Sequence, residues 1–129
     1  MKLLALISLA SLALSPVAAS AAEAKATPSL AQCFYIRDMR NHTVGDAHTM
    51  YFDVAGREVY KVTMSNACLA GAVSSDPILM RNHTGSSQIC TPLDLDITVD
   101  AAGPSRCLVS TIAKLTPAEV AALPKKVKP

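Results

Sequence analysis

The sequence predicts a small, mainly β protein, built as an antiparallel β barrel-like roll or a sandwich, stapled by disulfides and carrying a short C-terminal helix. Apolar and polar residues alternate in several segments that are bounded by turn-forming residues, as in half-buried strands. Four cysteines lie far apart along the chain. A helix-capping motif stands near the C-terminus. Both architectures fit this pattern.

The first 24 residues are predicted to be a secretory signal peptide that is cleaved on export. Lys2 supplies a positive charge, residues 3–14 are a mainly apolar run, and residues 17–24 are mostly small. The run is too short to span a bilayer, which needs about 20 residues. An uncleaved anchor or a buried helix is the alternative. Export to the periplasm or the extracellular space is therefore expected.

Cleavage changes how the composition is interpreted. A mature chain of about 105–108 residues is enough for one domain. A cut after Ala21 removes Lys2 and leaves 11 Lys and Arg against 10 Asp and Glu. Such a balance predicts no nucleic-acid partner, because the phosphate backbone is bound by an excess of positive charge. No later apolar stretch is long enough for a transmembrane segment in the mature chain.

The four cysteines all belong to the mature chain. No CxxC motif is present, which argues against a zinc ribbon or a thioredoxin-type redox site. An even number of separated cysteines in an exported chain predicts two disulfides, each worth roughly 2–4 kcal/mol. Three pairings are possible. We favour the first with the last and the two middle ones together, because first and last strands often meet when a small sheet closes; the pairs are Cys33–Cys107 and Cys68–Cys90.

The single β domain is predicted to span residues 33–123, after a flexible lead-in over 25–32. A first strand is expected over 33–39, followed by a turn or loop over 40–47 that its Asn, Gly and Asp content favours. The clearest hairpin pairs residues 48–54 with 57–64 across Ala55-Gly56. Its inward-facing residues on the first strand are Met50, Phe52 and Val54.

The second half of the domain is less regular at first. Residues 65–77 show no strand pattern, although 68–71 can form one helical turn. Short strands are predicted over 78–80 and at Ile89-Cys90, separated by a turn over 81–88. The pattern then gives longer strands over 93–100 and 106–115, with a turn over 101–105. The first of these two strands presents an apolar face made of Leu93, Leu95, Ile97 and Val99.

A short helix is predicted within residues 115–123. Thr116 suits the N-cap, Pro117 the first helical position, and Glu119 completes a capping box. Pro124 ends the helix, and the basic tail over 124–129 is expected to be solvated.

Several of these segments resemble a family of small exported bacterial proteins, domain-of-unknown-function family 6491. The resemblance rests on Cys33 opening the first strand, "VYKVTMSNACLAG" at 59–71, "IC" at 89–90 and "RCLVSTIAKLTPAEV" at 106–120. It covers nearly all of the mature chain. It implies an exported β protein and carries over no activity, cofactor or site residue.

Histidines in two similar loops are the candidate metal ligands. The motif "RNHT" occurs at 40–43 and at 81–84, so His42 and His83 can be presented to one ligand, and His48 lies near Asp46. Imidazole and carboxylate donors suit zinc or copper. The spacing matches no established metal motif, and ordinary turns explain the same residues. No metal site and no cofactor are therefore predicted.

No catalytic set stands out in the sequence. No serine lies in a GxSxG motif, and the aspartates of residues 94–100 lie in a row along one strand face, where their carboxylates diverge too far for calcium. The sequence thus predicts a non-enzymatic binding or interaction module of the cell envelope, whose partner is an envelope protein or a small ligand. The alternative is a metal-binding or hydrolytic periplasmic protein that uses His42, His48 and His83.

Overall fold

The computed structural model describes residues 33–83, 85–101 and 103–129. The predicted signal peptide over 1–24 and lead-in over 25–32 lie outside these ranges. Nine strands and one α-helix are present in the described residues: β1 Phe34–Tyr35, β2 Met39–Asp46, β3 Thr49–Val54, β4 Glu58–Met64, β5 Ile78–Asn82, β6 Gln88–Ile89, β7 Leu95–Asp100, β8 Pro104–Cys107, β9 Val109–Lys114 and α1 Pro117–Ala122. Short 3₁₀ turns cover Ile36–Asp38, Pro92–Asp94 and Lys125–Val127.

The strands form three antiparallel sheets, and the predicted mainly β class is confirmed. The largest sheet has the order β2-β3-β4-β9, the second has the order β5-β7-β8, and β1 pairs with β6. None of these sheets closes into a barrel in the described part of the chain. One apolar core joins all three sheets, and its largest fully buried side chains are Tyr60, Phe52, Met50, Leu69, Ile89, Ile97, Val62 and Val99. No helix among the described residues is long and apolar enough to cross a membrane.

The β3–β4 hairpin is confirmed. The two strands pair from Thr49 opposite Thr63 to Val54 opposite Glu58. Both central residues of the turn, Ala55 and Gly56, have positive φ angles of 56° and 71°. Such turns match the right-handed twist of the two strands, which is why glycine is favoured there.

The segment that was predicted as a turn over 40–47 is instead mostly strand β2, so that prediction is wrong. The residues of β2 pair with β3 along its length, and the actual turn is confined to Ala47 and His48. Strand β2 lies at the sheet edge, where polar side chains such as those of Arg40 and Asn41 stay exposed. The polar residues that favour a turn are therefore of the same kind as those that an exposed edge strand carries. The predicted first strand over 33–39 is also broken, because a 3₁₀ turn follows Tyr35.

The C-terminal helix has the predicted cap. The Thr116 hydroxyl accepts a hydrogen bond from the Glu119 backbone N–H, and the Glu119 carboxylate accepts one from the Thr116 N–H at 2.7 Å. The tail beyond the helix was predicted to be solvated, and its lysines are exposed. That prediction is wrong at Val127, which is 7% exposed and whose carbonyl accepts a hydrogen bond from the buried Thr43 hydroxyl on β2.

The strand that was predicted over 106–115 is two strands in two sheets. Strand β8 pairs with β7, and β9 pairs with β4, so the chain crosses between sheets at Leu108. The side chain of Asn66 stabilises the backbone at this crossing. Its side-chain amide donates to the Arg106 carbonyl at 2.9 Å and accepts from the Leu108 N–H at 2.8 Å. One side chain thus replaces the strand partners that the crossing residues lack.

We expect Asn66→Ala to lower the free energy of unfolding by about 1–2 kcal/mol, because two backbone groups lose their partner. Urea unfolding measures this loss. Asn41→Ala on the exposed edge of β2 is the control and should change stability by no more than about 0.5 kcal/mol. Equal losses in the two variants would contradict the role of Asn66.

The strand that was predicted over 93–100 begins two residues later. Leu95, Ile97 and Val99 are buried as predicted, but Leu93 is 83% exposed and the prediction is wrong there. The reason is a capped 3₁₀ turn: the Asp94 carboxylate accepts hydrogen bonds from the Thr91 N–H and hydroxyl at 2.7 and 3.0 Å. This turn carries Leu93 out of the strand alternation.

Both disulfides are present, but the favoured pairing is wrong. The pairs are Cys33–Cys90, with Cα atoms 4.3 Å apart, and Cys68–Cys107, with Cα atoms 5.2 Å apart. The first and last strands do not meet, because β1 pairs with β6 and β9 pairs with β4. The pairing of Phe34 with Ile89 places the neighbouring Cys33 and Cys90 side by side.

Candidate functional site

The three candidate histidines do not form one site. His48 lies in the β2–β3 turn, where its backbone N–H donates to the Asp46 carboxylate at 2.8 Å. His83 follows β5 and is exposed, and His42 lies half-buried on β2 with its ring 6.3 Å from the Phe52 ring. No group of three or more His, Cys, Asp or Glu side chains converges to hold a metal within residues 33–83, 85–101 and 103–129.

Several carboxylates have structural roles. Those of Asp46, Asp76, Asp94 and Glu119 accept hydrogen bonds from nearby backbone N–H groups. Two others form ion pairs: Glu58 with Lys114 at 2.6 Å and Asp96 with Arg106 at 3.1 Å. The hydrogen bond from Lys114 holds the pKa of Glu58 below its usual range. These carboxylates stabilise turns and strand ends. The two ion pairs lie on the surface near the two ends of β9.

Strand β9 is an edge strand with a free side. It pairs with β4 on one side, and no strand of the described residues pairs with the other. The Leu115 N–H donates to the Val59 carbonyl at 2.8 Å, which fixes the alternation of hydrogen bonds along the strand. In an antiparallel pair every second residue points its backbone groups away from the partner. Ile112 and Lys114 therefore direct their N–H and C=O groups outward.

A groove, here called the helix groove, lies at the C-terminal end of β9. It has a volume of about 770 Å³, and the residues that line it include Glu58, Val59, Lys114, Leu115 and Val120. The start of β4, the end of β9 and helix α1 form its walls. The Glu58–Lys114 ion pair lies beside an apolar surface, so the groove offers both charged and apolar contacts.

A second depression, here called the leucine cleft, lies at the N-terminal end of β9. It has a volume of about 190 Å³ and is lined in part by Leu93, Leu108 and Val109, with the Asp96–Arg106 ion pair at its side. Leu93 is 83% exposed and Leu108 is 55% exposed. The sequence pattern does not reveal this cleft, because both leucines fall in segments that it predicts as strands. The motif Thr91-Pro92-Leu93-Asp94, a capping sequence, was the signal that could have revealed the first of them.

A scan against protein-family models and searches of the curated proteins and the solved structures found no match to this chain. The resemblance to family 6491 therefore stays a prediction from the sequence motifs. The class of protein that the fold defines is a mainly β domain with two disulfides, which fits an oxidising, exported environment.

Proposed function

We propose that this protein is a non-enzymatic binding module of the periplasm or extracellular space, which binds an extended segment of an envelope protein along the outer edge of β9. One observation carries the proposal. The free edge of β9 runs between the two depressions, with the leucine cleft at one end and the helix groove at the other.

An exposed sheet edge binds a peptide by adding it as a further strand. Main-chain hydrogen bonds then give affinity, and pockets for side chains give specificity. The six residues of β9 extend over roughly 20 Å. The outward groups of Ile112 and Lys114 are the ones that an added strand would bond.

The side chains along β9 allow another strand to approach this edge closely. Ser110, Thr111 and Ala113 are exposed, small and uncharged. Sheet edges that avoid pairing commonly carry charged residues, especially lysine, or proline. The only lysine of β9 is Lys114 at its end, where Glu58 holds it. The edge is thus left accessible between the two depressions.

The depressions indicate what the bound segment contains. The leucine cleft suits an apolar side chain, because burying Leu93 and Leu108 removes apolar surface from water at roughly 25 cal/mol per Å². The helix groove adds a charged contact through the Glu58–Lys114 pair. We therefore expect an extended segment with an apolar anchor at one end and a charged or polar residue at the other.

Photo-crosslinking from the β9 edge tests this proposal. A photoreactive amino acid at Ala113 should yield a discrete adduct when the protein is irradiated in envelope extract, because the bound strand would lie beside that position. The same amino acid at Val73, which is 55% exposed in the 65–77 segment, is the control and should yield none.

The chain offers a matched pair of variants for the same experiment. Lys114→Pro and Lys114→Ala both lose the ion pair with Glu58, but only proline also removes the outward N–H. The adduct should persist with Lys114→Ala and disappear with Lys114→Pro, provided that circular dichroism shows both to be folded. Loss of the adduct in neither variant, or identical adducts from positions 113 and 73, would refute strand addition at β9.

A further inference from the structure

A small cavity lies between the two larger sheets, on the side away from β9. It has a volume of about 90 Å³ and is lined by residues of β2, β3 and β5, among them Met39, His42, Phe52 and Met80. Strand β2 is the edge of the four-stranded sheet, and β5 is the edge of the three-stranded sheet. The cavity therefore brings two methionines and one histidine together from two different sheets.

A β-bulge places Met39 and His42 on the same face of β2. Residues three apart in a regular strand point to opposite faces. Here the register shifts between Met39 and Asn41, so that Met39 lies opposite Val54 and His42 lies opposite Phe52. Val54 and Phe52 are both buried in the core. The bulge thus directs a thioether and an imidazole toward the same apolar interior, as bulges next to functional sites do.

The His42 ring has an unsatisfied nitrogen. Its Nε2 atom is buried and has no hydrogen-bond partner among the described residues. An unpaired buried polar atom costs roughly 1–3 kcal/mol.

Two thioether sulfurs are soft donors that select Cu(I), and an imidazole nitrogen also suits copper. We propose that Met39, His42 and Met80 form a binding site for a monovalent soft metal ion, Cu(I). The atom that lacks a partner would then be a ligand. The cavity is about three times the roughly 30 Å³ that one water molecule occupies in the liquid, so an ion fits without displacing the core.

The remaining lining argues against a divalent ion. The other residues at the cavity are Arg40, Asn41, Phe52 and Ile78, and none of them supplies a carboxylate. Magnesium and calcium require oxygen donors, and a divalent charge beside the Arg40 guanidinium is less favourable than a single charge. All four cysteines are in disulfides, so thiolates do not compete for the ion within this chain.

Titration with Ag(I), a redox-stable probe of Cu(I) sites, tests the proposal on the protein purified from the periplasm. Methyl NMR of the methionines should show one equivalent of Ag(I) shifting the signals of Met39 and Met80, while those of the core residues Met50 and Met64 stay in place. Cu(I) supplied anaerobically from a competing chelator should bind with the same stoichiometry. Zinc should bind at least about tenfold more weakly than Cu(I).

Conservative variants separate this site from chance binding. Met80→Leu and Met39→Leu keep side-chain volume and should each lower Ag(I) affinity at least about tenfold. Met64→Leu is the matched control, and replacing His48 and His83 by alanine controls for exposed histidines; both should leave affinity unchanged. No stoichiometric binding, or binding that survives Met39→Leu and Met80→Leu, would overturn the proposal. Because β9 lies at the opposite edge of the sheet from β2, neither result tests the proposed binding of an extended segment along β9.

Discussion

Removing the Cys68–Cys107 disulfide by Cys68→Ala with Cys107→Ala should lower the free energy of unfolding by about 4 kcal/mol or more. The bridge closes a separation of 39 residues, for which the chain-entropy model alone gives about 4 kcal/mol. Both half-cystines are buried, at 7% and 2% exposure, so the alanines also leave unfilled space in the core. A domain of this size is stable by only about 5–15 kcal/mol, so the loss is a large share of the total.

The other bridge is the matched comparison. Cys33–Cys90 closes a separation of 57 residues, so its chain-entropy contribution is nearly the same, but both of its half-cystines are only half-buried. Cys33→Ala with Cys90→Ala should therefore cost less than the buried pair. Urea unfolding of both variants beside the parent protein measures the difference. A larger loss of unfolding free energy for the Cys33–Cys90 pair would contradict the stabilisation that is attributed to burial of the half-cystines.

Alternation predicted the strands whose two faces differ in burial. Along β3, β4 and β7 the inward residues are almost fully buried and the residues between them are not, so hydrophobic pattern and structure coincide. The pattern fails on β2, because an edge strand with bulges carries turn-forming residues. It also fails at Leu108, where one continuous pattern is divided between two sheets. At this crossing the backbone groups are bonded by the side chain of Asn66, which is distant in sequence.

The candidate sites depend on the features that the sequence hid. The leucine cleft forms only because Leu93 leaves the strand and Leu108 lies at the crossing. Met39 and His42 share a face only because of the bulge. The repeated RNHT motif made His42 a candidate ligand with other histidines and Asp46 as its partners, whereas the structure places His42 beside two methionines. Thioethers carry no spacing motif that a sequence pattern can expose.

Tyr60→Ala should cost about 3–5 kcal/mol of unfolding free energy. Tyr60 is fully buried at 0% exposure, and its ring lies 4.6 Å from the Phe34 ring, which joins the β1–β6 pair to the four-stranded sheet. Tyr60→Phe is the matched control, since it keeps the ring and removes only the hydrogen bond to Glu58 at 3.3 Å. It should cost about 1 kcal/mol. Similar losses in the two variants, by urea unfolding, would show that the ring contributes little.

The same residue predicts how stability depends on pH in the alkaline range. Burial raises the pKa of Tyr60 to about 12, with a further contribution from the negative charge of Glu58, whereas an exposed tyrosine has a pKa of about 10. Between these values the folded protein holds a proton that the unfolded chain has lost, so stability falls as pH rises through this window and is unaffected below it. Tyr60→Phe has no such proton, and its stability should fall less steeply from about pH 10 to about pH 12. Parallel curves for Tyr60→Phe and the parent protein would mean that the Tyr60 hydroxyl is not the group that titrates.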